Sequence, residues 1–389
     1  MKLSSISIKN VISSIKFCVV MPAALVGRKW NPNVWIITER PGQARDNGYC
    51  FFKYLREKHP ECGAYYIIDK KAKDYNKIKK YGNIIQFNSW KHYFYYCLSR
   101  IHISAHVNGC VPNDSPIHRR LRRILKNKTV FIPHGVSYGV SEFCLKKHAK
   151  ISLFICSGKK EYENVLQKYG YDESEIAYTG FPRLDGWHDI EVNSKQILLM
   201  PTWRLYLAQN PEIIFEDTRY FQVYQELICD ERLLQFLKKN DVKLIFYLHN
   251  EMRKYVNSFK TECENIEVVY KDDAYDIQEL LKSSALLITD YSSVHFDFAY
   301  MKKPVIYYQF DQNEFFEKQY LRGNFSAEED GFGPVVYEKK RLIEEIEKMW
   351  VQDFRMSENY YRRMREFYQI HDDMNCERVY QEVCKRFKL

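Results

Sequence analysis

The sequence lacks the patterns that mark several common classes of protein. None of its 11 cysteines forms a CxxC pair, and no group of cysteines and histidines has the spacing of zinc ligands. No GxGxxG follows the first predicted strand and no GxxxxGK[ST] occurs, so dinucleotide and P-loop sites are disfavoured. Internal repeats of fixed period and low-complexity tracts are also absent. The scattered, odd-numbered cysteines indicate reduced thiols in a cytoplasmic protein.

Long apolar runs are missing as well. The longest run near the N-terminus covers residues 17–26, is interrupted by Pro22, and is soon followed by Arg28 and Lys29. This run is too short to span a bilayer, and no clear signal-peptide cleavage site follows it. Within residues 4–26, apolar side chains recur at helical spacing at Ile8, Val11, Ile12, Ile15 and Val19. The pattern predicts an amphipathic helix that either lies on a membrane surface or packs on its own domain.

Acidic residues are fewer than basic ones, 50 against 59, which gives a net charge of +9. This excess favours an anionic partner, such as a membrane surface, a phosphorylated polymer or a nucleic acid. With 46% hydrophobic and 28% charged residues the chain is predicted to fold, and 389 residues are enough for two domains.

Strand and helix patterns alternate along the chain. Apolar strand-like segments begin at Val34, Ala64, Asn83, Ile101, Thr129 and Ile151, and helical stretches separate most of them. A turn-rich segment, YTGFPRLDGW, precedes a second alternation. The pattern predicts an α/β protein of two doubly wound parallel sheets facing across a cleft, the GT-B plan, with Rossmann-like domains. We place the N-terminal domain at 1–188, the second domain at 189–345, and helices that pack back on the N-terminal domain at 346–389.

One strand–helix–strand unit, LLITDYSSVHFDFAYMKKPVIYY, carries an unusual density of polar residues at one turn. A right-handed crossover places this turn at the carboxyl end of a parallel strand and the amino end of a helix, where anions bind. Asp290, Ser292 or Ser293 could simply cap the helix. One cap needs one residue, however, so the further hydroxyl and Asp297 indicate a phosphate or nucleotide site.

Other predicted strands end in groups suited to the same chemistry. These groups are His134 before Gly135, Arg183 in GFPRLD, Thr202, Trp203 and Arg204 in LLMPTWR, and His249 in IFYLHN. Each has a purely structural alternative, such as a buried histidine or a surface ion pair. Because the carboxyl ends of parallel strands share one edge of a sheet, their recurrence at that edge favours a ligand site.

The series HG, GFPRLD, PTWR, LH, TDYSSVxFD, KPVIYYQFD and GFGPVV resembles the CDP-glycerol glycerophosphotransferase family of teichoic-acid and capsule enzymes. The similarity covers roughly residues 130–336, in the family's motif order. It implies a GT-B fold and transfer of a polyol phosphate from a CDP-polyol to an acceptor hydroxyl with release of CMP. It also implies His134 as catalytic base and His249 as a second essential histidine near the diphosphate. The implied CDP-polyol site comprises Gly135, Arg183, Thr202, Trp203, Arg204, Ser292, Ser293 and Asp297.

Departures from the family pattern leave the substrates open. HGVSYG stands where many members have Thr-Pro-Leu-Lys after HG, and Asn250 replaces a proline after the second histidine. CDP-ribitol is therefore an alternative to CDP-glycerol as donor. The rival functions are a glycosyltransferase that uses a nucleotide sugar, a nucleotide-sugar epimerase, and a non-catalytic binder of anionic polymers.

The remaining expectations concern cofactors and partners. We expect no cofactor and no essential metal, and we interpret Asp272 and Asp273 as a solvated turn. The expected partners are a lipid-linked or polymeric acceptor and an anionic membrane surface on the cytoplasmic side, without nucleic acid.

Overall fold

The computed structural model describes residues 8–113, 124–188, 190–210, 212–269, 275–319 and 323–389. The predicted boundary residue Asp189, the acidic pair Asp272 and Asp273, and residues 4–7 of the amphipathic segment lie outside these ranges. The chain divides into two units: unit 1 comprises 1–137, 141–185 and 372–389, and unit 2 comprises 138–140 and 186–371.

Unit 1 contains a seven-stranded parallel sheet. Its strands are β1 (Val34–Thr38), β2 (Gly63–Ile68), β3 (Ile84–Gln86), β4 (Ile101–Ser104), β5 (Lys128–Phe131), β6 (Leu153–Cys156) and β7 (Ile176–Tyr178). They lie in the order β3-β2-β1-β4-β5-β6-β7. The strand VWIIT of β1 is buried along its whole length, as expected for a parallel sheet covered on both faces.

The described helices of unit 1 lie between and beyond these strands. They are α1 (Ile8–Trp30), α2 (Asn47–Lys58), α3 (Tyr75–Lys79), α4 (Trp90–Leu98), α5 (Lys159–Lys168) and, at the C-terminus, a helix at Asn375–Phe387. Asp46 caps α2 by accepting a hydrogen bond from the Asn47 N–H at 2.8 Å.

Helix α1 packs one side on α4 and leaves the other side exposed. Phe17 is buried against Tyr93 and Tyr96, with ring centroids 4.7 and 5.8 Å away. Arg28 donates to the carbonyl oxygens of Leu98 and Ser99, at 3.0 and 2.7 Å. The exposed apolar side chains are Ile8, Val11, Ile12, Ile15, Val19, Val26 and Trp30. Of the two predicted alternatives, the structure shows packing on the helix's own domain. Attachment of the exposed apolar side to a membrane surface stays a prediction.

The length of α1 corrects one expectation. By length and composition, it is the one helix of the described residues that could cross a membrane, although core helices and signal sequences pass the same test. The count of uninterrupted apolar residues stops at Pro22 and therefore excludes a span, whereas the helix continues through Pro22 and Gly27.

Unit 2 contains a six-stranded parallel sheet in the order β10-β9-β8-β11-β12-β13. Its strands are β8 (Asn193–Leu199), β9 (Lys243–Phe246), β10 (Ile266–Val268), β11 (Ser284–Thr289), β12 (Val305–Tyr308) and β13 (Val335–Val336). The described helices of unit 2 are α6 (Leu205–Ala208), α7 (Arg219–Ile228), α8 (Glu231–Asn240), α9 (Ile277–Ser283), α10 (Val294–Tyr300), α11 (Gln312–Lys318), α12 (Ala327–Asp330), α13 (Lys339–Val351) and α14 (Glu358–Phe367). The C-terminal helix of unit 1, Asn375–Phe387, is α15.

The fold class predicted from the sequence, an α/β protein with two doubly wound parallel sheets, is confirmed. The predicted C-terminal helical segment 346–389 is divided: α14 belongs to unit 2, and α15 belongs to unit 1. The assignment of one domain to the acceptor and the other to the donor stays a prediction.

Candidate active site

The strand order of each sheet identifies the edge where a ligand is expected. In unit 1 the connections run to one side from β1 and to the other side from β4, and in unit 2 the same reversal separates β8 from β11. Open α/β sheets bind ligands outside the carboxyl ends of the strands at such a reversal. The loops after β1, β4, β8 and β11 are therefore the places to look for functional side chains.

In unit 2, the loop after β8 is held by one arginine. The Arg204 guanidinium donates to Asp311 Oδ2 through Nε at 2.7 Å and to Asp290 Oδ2 through Nη2 at 2.8 Å. Its Nη1 donates to the Thr202 carbonyl oxygen at 2.7 Å. Asp290 Oδ1 also accepts from the Thr202 N–H at 2.8 Å. Arg204 thus joins the loops that follow β8, β11 and β12.

This network is buried completely, which decides what Arg204 can do. The side chains of Arg204 and Asp290 are 0% exposed. Burial alone would lower the pKa of Arg204, but the charges of Asp290 and Asp311 outweigh it and raise that pKa well above its usual value. A guanidinium without accessible surface cannot contact a donor in this conformation, so the geometry favours a positioning role over direct binding.

The neighbouring Trp203 and His249 form a second feature of this edge. Their rings are nearly parallel, with centroids 5.8 Å apart and planes at 15°. His249 Nδ1 accepts a hydrogen bond from the Glu251 N–H at 3.2 Å, so the neutral ring carries its proton on Nε2. Gln319 donates to the Trp203 carbonyl oxygen at 3.1 Å and fixes the turn. Because β8 is the neighbour of β11, the strand order places Trp203 beside the loop after β11, and His249 follows β9, one strand further away.

The serines of the loop after β11 do not cap the helix that follows. Ser293 is the residue before α10, and its side chain makes no capping hydrogen bond. Both Ser292 and Ser293 are partly exposed, and Asp297 is 7% exposed on the first turn of α10. The hydroxyl groups of Ser292 and Ser293 therefore do not cap the helix, and they remain available for hydrogen bonds to a ligand at the sheet edge.

In unit 1, two histidines lie together at the carboxyl ends of β4 and β5. The ring centroids of His106 and His134 are 5.5 Å apart. Part of His134 reaches solvent, yet the protein atoms around it desolvate the ring and lower its pKa; Asp46 opposes this effect and Arg183 adds to it. Burial and the charge of a protonated His134 lower the pKa of His106 to about 4. Both imidazoles are therefore neutral at pH 7.

Arg183 lies in unit 1 and is buried beside this histidine pair. Its Nη1 donates to Asp46 Oδ1 at 3.0 Å, and its backbone N–H donates to Asn47 Oδ1 at 3.1 Å. Asn47 in turn donates to the carbonyl oxygen of Pro133, the residue before His134, at 2.7 Å. Through Asn47, the backbone N–H of Arg183 is thus linked to the residue that precedes His134.

The sequence analysis missed several residues of this network. Glu39, buried after β1, accepts hydrogen bonds from the N–H groups of Arg45, Asp46 and Tyr49 at 3.0, 2.9 and 2.8 Å. Burial, followed by the charge of Asp46, raises the pKa of Glu39 to about 7. The pattern that indicates Glu39, Asp46 and Asn47 is the polar segment TERPGQARDN, which directly follows the strand at which the connections reverse.

The structure thus groups the candidate residues in two sets. His134, Gly135 and Arg183 lie at the sheet edge of unit 1, and Thr202, Trp203, Arg204, His249, Ser292, Ser293 and Asp297 lie at that of unit 2. Among the described residues, no group of three or more His, Cys, Asp or Glu could hold a metal ion. The expectation that no metal is essential stays a prediction.

Known proteins resemble the chain in both sequence and fold. The family model described as CDP-Glycerol:Poly(glycerophosphate) glycerophosphotransferase matches residues 22–385. The minor teichoic acid biosynthesis protein GgaB of Bacillus subtilis (strain 168) is 34% identical, over 90% of this chain and 39% of that protein. The teichoic acid poly(glycerol phosphate) polymerase of the same organism is 25% identical, over 87% and 47%. The chain therefore spans less than half the length of these curated relatives.

Solved structures agree on the fold. The wall teichoic acid polymerase TagF has a TM-score of 0.64 and 18% identity, with 98% of this chain and 95% of that chain covered. A UDP-N-acetylglucosamine 2-epimerase-like protein from Listeria monocytogenes has a TM-score of 0.58 and 14% identity, over 92% and 97%. These likenesses confirm the GT-B fold class. With its family model matched from residue 22 to residue 385, the chain belongs to the CDP-glycerol:poly(glycerophosphate) glycerophosphotransferase family.

Proposed function

We propose that the chain transfers a polyol phosphate, with glycerol phosphate as the first candidate, from a CDP-polyol to an acceptor hydroxyl and releases CMP. The observation that carries the proposal is the neutral imidazole of His134 at the carboxyl edge of the unit 1 sheet, held by the Asp46–Arg183–Asn47 network. Family membership supports the same reaction class.

His134 serves as general base in this proposal. The acceptor oxygen attacks the phosphorus that carries the polyol, and its proton passes to the imidazole as the new P–O bond forms. The bond from that phosphorus to the bridging oxygen breaks, and CMP departs with the electron pair. Because the pKa of His134 is lowered, the ring is unprotonated and able to accept the proton at neutral pH.

The groups of unit 2 bind the donor. Ser292 and Ser293 donate hydrogen bonds to the diphosphate, and His249 Nε2–H donates to charge that develops on the departing phosphate. Trp203 lies against His249 and shapes this side of the site, and Asp297 accepts from a donor hydroxyl. Arg204 and Arg183 act through the loops that they position, since both are at most 3% exposed.

The acceptor is a lipid-linked or polymeric molecule at a membrane surface. The exposed apolar residues of α1 and the net charge of +9 support peripheral attachment to anionic lipid on the cytoplasmic side. Attachment of this kind holds the protein at the surface in which a lipid-linked acceptor lies.

CDP-ribitol is the second candidate donor. Relatives named as ribitol-phosphate polymerases, from Bacillus spizizenii and Staphylococcus aureus, are 25% and 26% identical over about half of this chain. Other relatives are named for glycerol phosphate, so the relatives as a group leave both donors open, as the departures at HGVSYG and Asn250 do.

A donor screen tests the proposed function. The full chain is incubated with CDP-glycerol, CDP-ribitol and several UDP-sugars, with and without a glycerol-phosphate-primed acceptor, and the released nucleotide is identified. We expect CMP, released only when an acceptor is present. Release of UDP would identify a glycosyltransferase, and conversion of a UDP-sugar without an acceptor would identify an epimerase.

A further inference from the structure

Helix α5 holds the backbone of the segment that carries His134. The Glu161 side chain accepts a hydrogen bond from the Ser137 N–H through Oε1 at 2.7 Å, and the Asn164 amide donates to the Ser137 carbonyl oxygen at 2.8 Å. Both backbone polar groups of Ser137 are therefore bound by side chains of a single helix. Two residues separate Ser137 from His134.

The two polar side chains of α5 that make these contacts are buried. Glu161 and Asn164 are each 1% exposed, although the helix sequence KKEYENVLQK is mostly polar and charged. With Val165, at helical spacings of three and four residues, they form the buried face of α5. Burying a carboxyl group and an amide costs free energy, which the hydrogen bonds to Ser137 and Ser157 offset.

The segment around His134 has a second anchor on its other side. The carbonyl oxygen of Pro133, the preceding residue, accepts from the Asn47 amide at 2.7 Å. Ser137 is the last residue of HGVSYG in unit 1, because residues 138–140 belong to unit 2. Within unit 1, His134 thus lies between two anchored residues, and α5 provides the anchor that follows it.

The ionisation of Glu161 does not decide its contact with Ser137. Its second oxygen, Oε2, accepts from the Ser157 N–H at 2.7 Å and from Ser157 Oγ at 3.0 Å. Burial raises the pKa of Glu161 to about 7, against the opposing effect of its hydrogen bonds from Ser137 and Ser157. The Ser157 hydroxyl can reverse its direction and accept from a protonated Oε2, which leaves Oε1 for Ser137 in both states.

We propose that Glu161 and Asn164 are positioning residues for His134, which hold the backbone after it so that the imidazole meets the acceptor hydroxyl in reactive geometry. A general base acts within about 2.6–3.2 Å of the group that it deprotonates, so a loosened backbone reduces turnover rather than binding. Both side chains are buried and act through Ser137 rather than on substrate. The proposal rests on the proposed function, in which His134 is the base.

Asn164→Leu is the first test, because leucine has a similar volume and lacks the amide that donates to Ser137. With the donor that the screen identifies, we expect kcat to fall about tenfold or more. The donor KM is expected to stay within about threefold, because the proposed donor groups lie in unit 2. The acid limb of kcat/KM is expected at the same pH as in the natural chain, because His134 is still the base.

Two substitutions of Glu161 form a second test. Glu161→Gln keeps an oxygen that accepts from the Ser137 N–H and an amide that donates to the Ser157 hydroxyl, so kcat is expected within about threefold of the natural value. Glu161→Met has a similar length without either acceptor, and its kcat is expected to fall as in Asn164→Leu. Equal kcat values in the two folded variants would contradict the role of Glu161.

Tyr171→Phe is the matched control for Asn164→Leu. The Tyr171 hydroxyl donates to the Cys144 carbonyl oxygen at 2.7 Å, and Tyr171 is 3% exposed, so this variant also frees one backbone carbonyl of unit 1. We expect its thermal midpoint to fall about as far as that of Asn164→Leu, with the natural kcat. Equal losses of kcat in the two variants would indicate general loosening of unit 1 and overturn the positioning role.

Hydrogen exchange distinguishes failure of this proposal from failure of the proposed function. Exchange of residues 132–138 is followed by mass spectrometry in the full chain, which requires no turnover. We expect this segment to exchange faster in Asn164→Leu than in the natural chain or in Tyr171→Phe, and unchanged exchange overturns the anchor. An active His134→Asn refutes the base itself, whereas an inactive His134→Asn beside a natural kcat in Asn164→Leu refutes the positioning residues alone.

Discussion

Replacing Arg204 by leucine tests whether this residue positions the loops of unit 2 or binds the donor. The substitution leaves Asp290 and Asp311 buried without their counter-ion, with side chains 0% and 2% exposed. Removing one partner of a buried ion pair costs roughly 3–5 kcal/mol, because an uncompensated charge stays behind. Unit 2 has about 190 residues, and at this size 1 kcal/mol shifts the thermal midpoint by roughly 2–4 °C. We therefore expect the midpoint to fall by roughly 6–20 °C.

Arg232→Leu is the matched control for this experiment. Arg232 also pairs with a carboxylate, Glu347 at 2.7 Å, but its side chain is 47% exposed. Exposed ion pairs contribute about 0–1 kcal/mol, so the midpoint of this variant is expected to move by a few degrees at most.

Two measurements on the full chain separate the possible roles of Arg204. Calorimetry gives the thermal midpoint, and hydrogen exchange of the β11 amides reports the stability of the strand that precedes Asp290. We expect faster exchange in β11 for Arg204→Leu and natural rates for Arg232→Leu. If Arg204→Leu is as stable as the natural chain while CDP-glycerol binding is lost, the positioning role is refuted and the arginine contacts the donor.

Three further predictions concern the base, the serines and α1. His134→Asn is expected to abolish transfer while CDP-polyol affinity stays within about threefold, and turnover within tenfold of the natural chain refutes the role of His134 as base. In the natural chain, kcat/KM is expected to fall on the acid side only below pH 6.5, because the lowered pKa of His134 keeps the base neutral above that pH. Ser292→Ala with Ser293→Ala is expected to weaken donor binding about tenfold or more at a stability cost below about 0.5 kcal/mol, since no cap is lost, and a stability loss with unchanged affinity in calorimetric titrations would contradict it. Ile15→Asp is expected to reduce co-sedimentation with anionic liposomes, whereas Val351→Asp, at a residue that is more exposed and remote in sequence, is not; full-length protein that fails to co-sediment at low salt contradicts the membrane role.

The sheet architecture was predictable because buried parallel strands appear in a sequence as short apolar runs. The strand predicted to begin at Val34 begins there in the structure, and the segment from Leu286 to Tyr308 is a strand, a helix and a strand, as its pattern predicts. The edge strand β7 was missed, since its three residues, Ile176–Tyr178, adjoin a segment dense in turn formers. Short edge strands have little local pattern and are fixed by pairing with a neighbour, here β6.

The positions of the candidate residues were also predictable, but their burial was not. A residue at the carboxyl end of a parallel strand is placed at the ligand edge by topology alone. Whether it faces a ligand depends on partners distant in sequence. Asp311 lies 107 residues after Arg204, and no local pattern identifies it as the carboxylate that takes the guanidinium out of solvent.

The polar residues of the TDYSS turn divide between an observed structural role and a proposed role in donor binding. Asp290 has a structural role, because its carboxylate oxygens accept hydrogen bonds from the Thr202 and Tyr291 N–H groups and from Arg204. That network already fixes the turn, so the helix needs no cap from Ser292 or Ser293. A turn rigid without its hydroxyl groups can aim them at a ligand with little loss of conformational entropy on binding. The buried aspartate thus leaves both serine hydroxyl groups free for the donor-binding role that we propose for them.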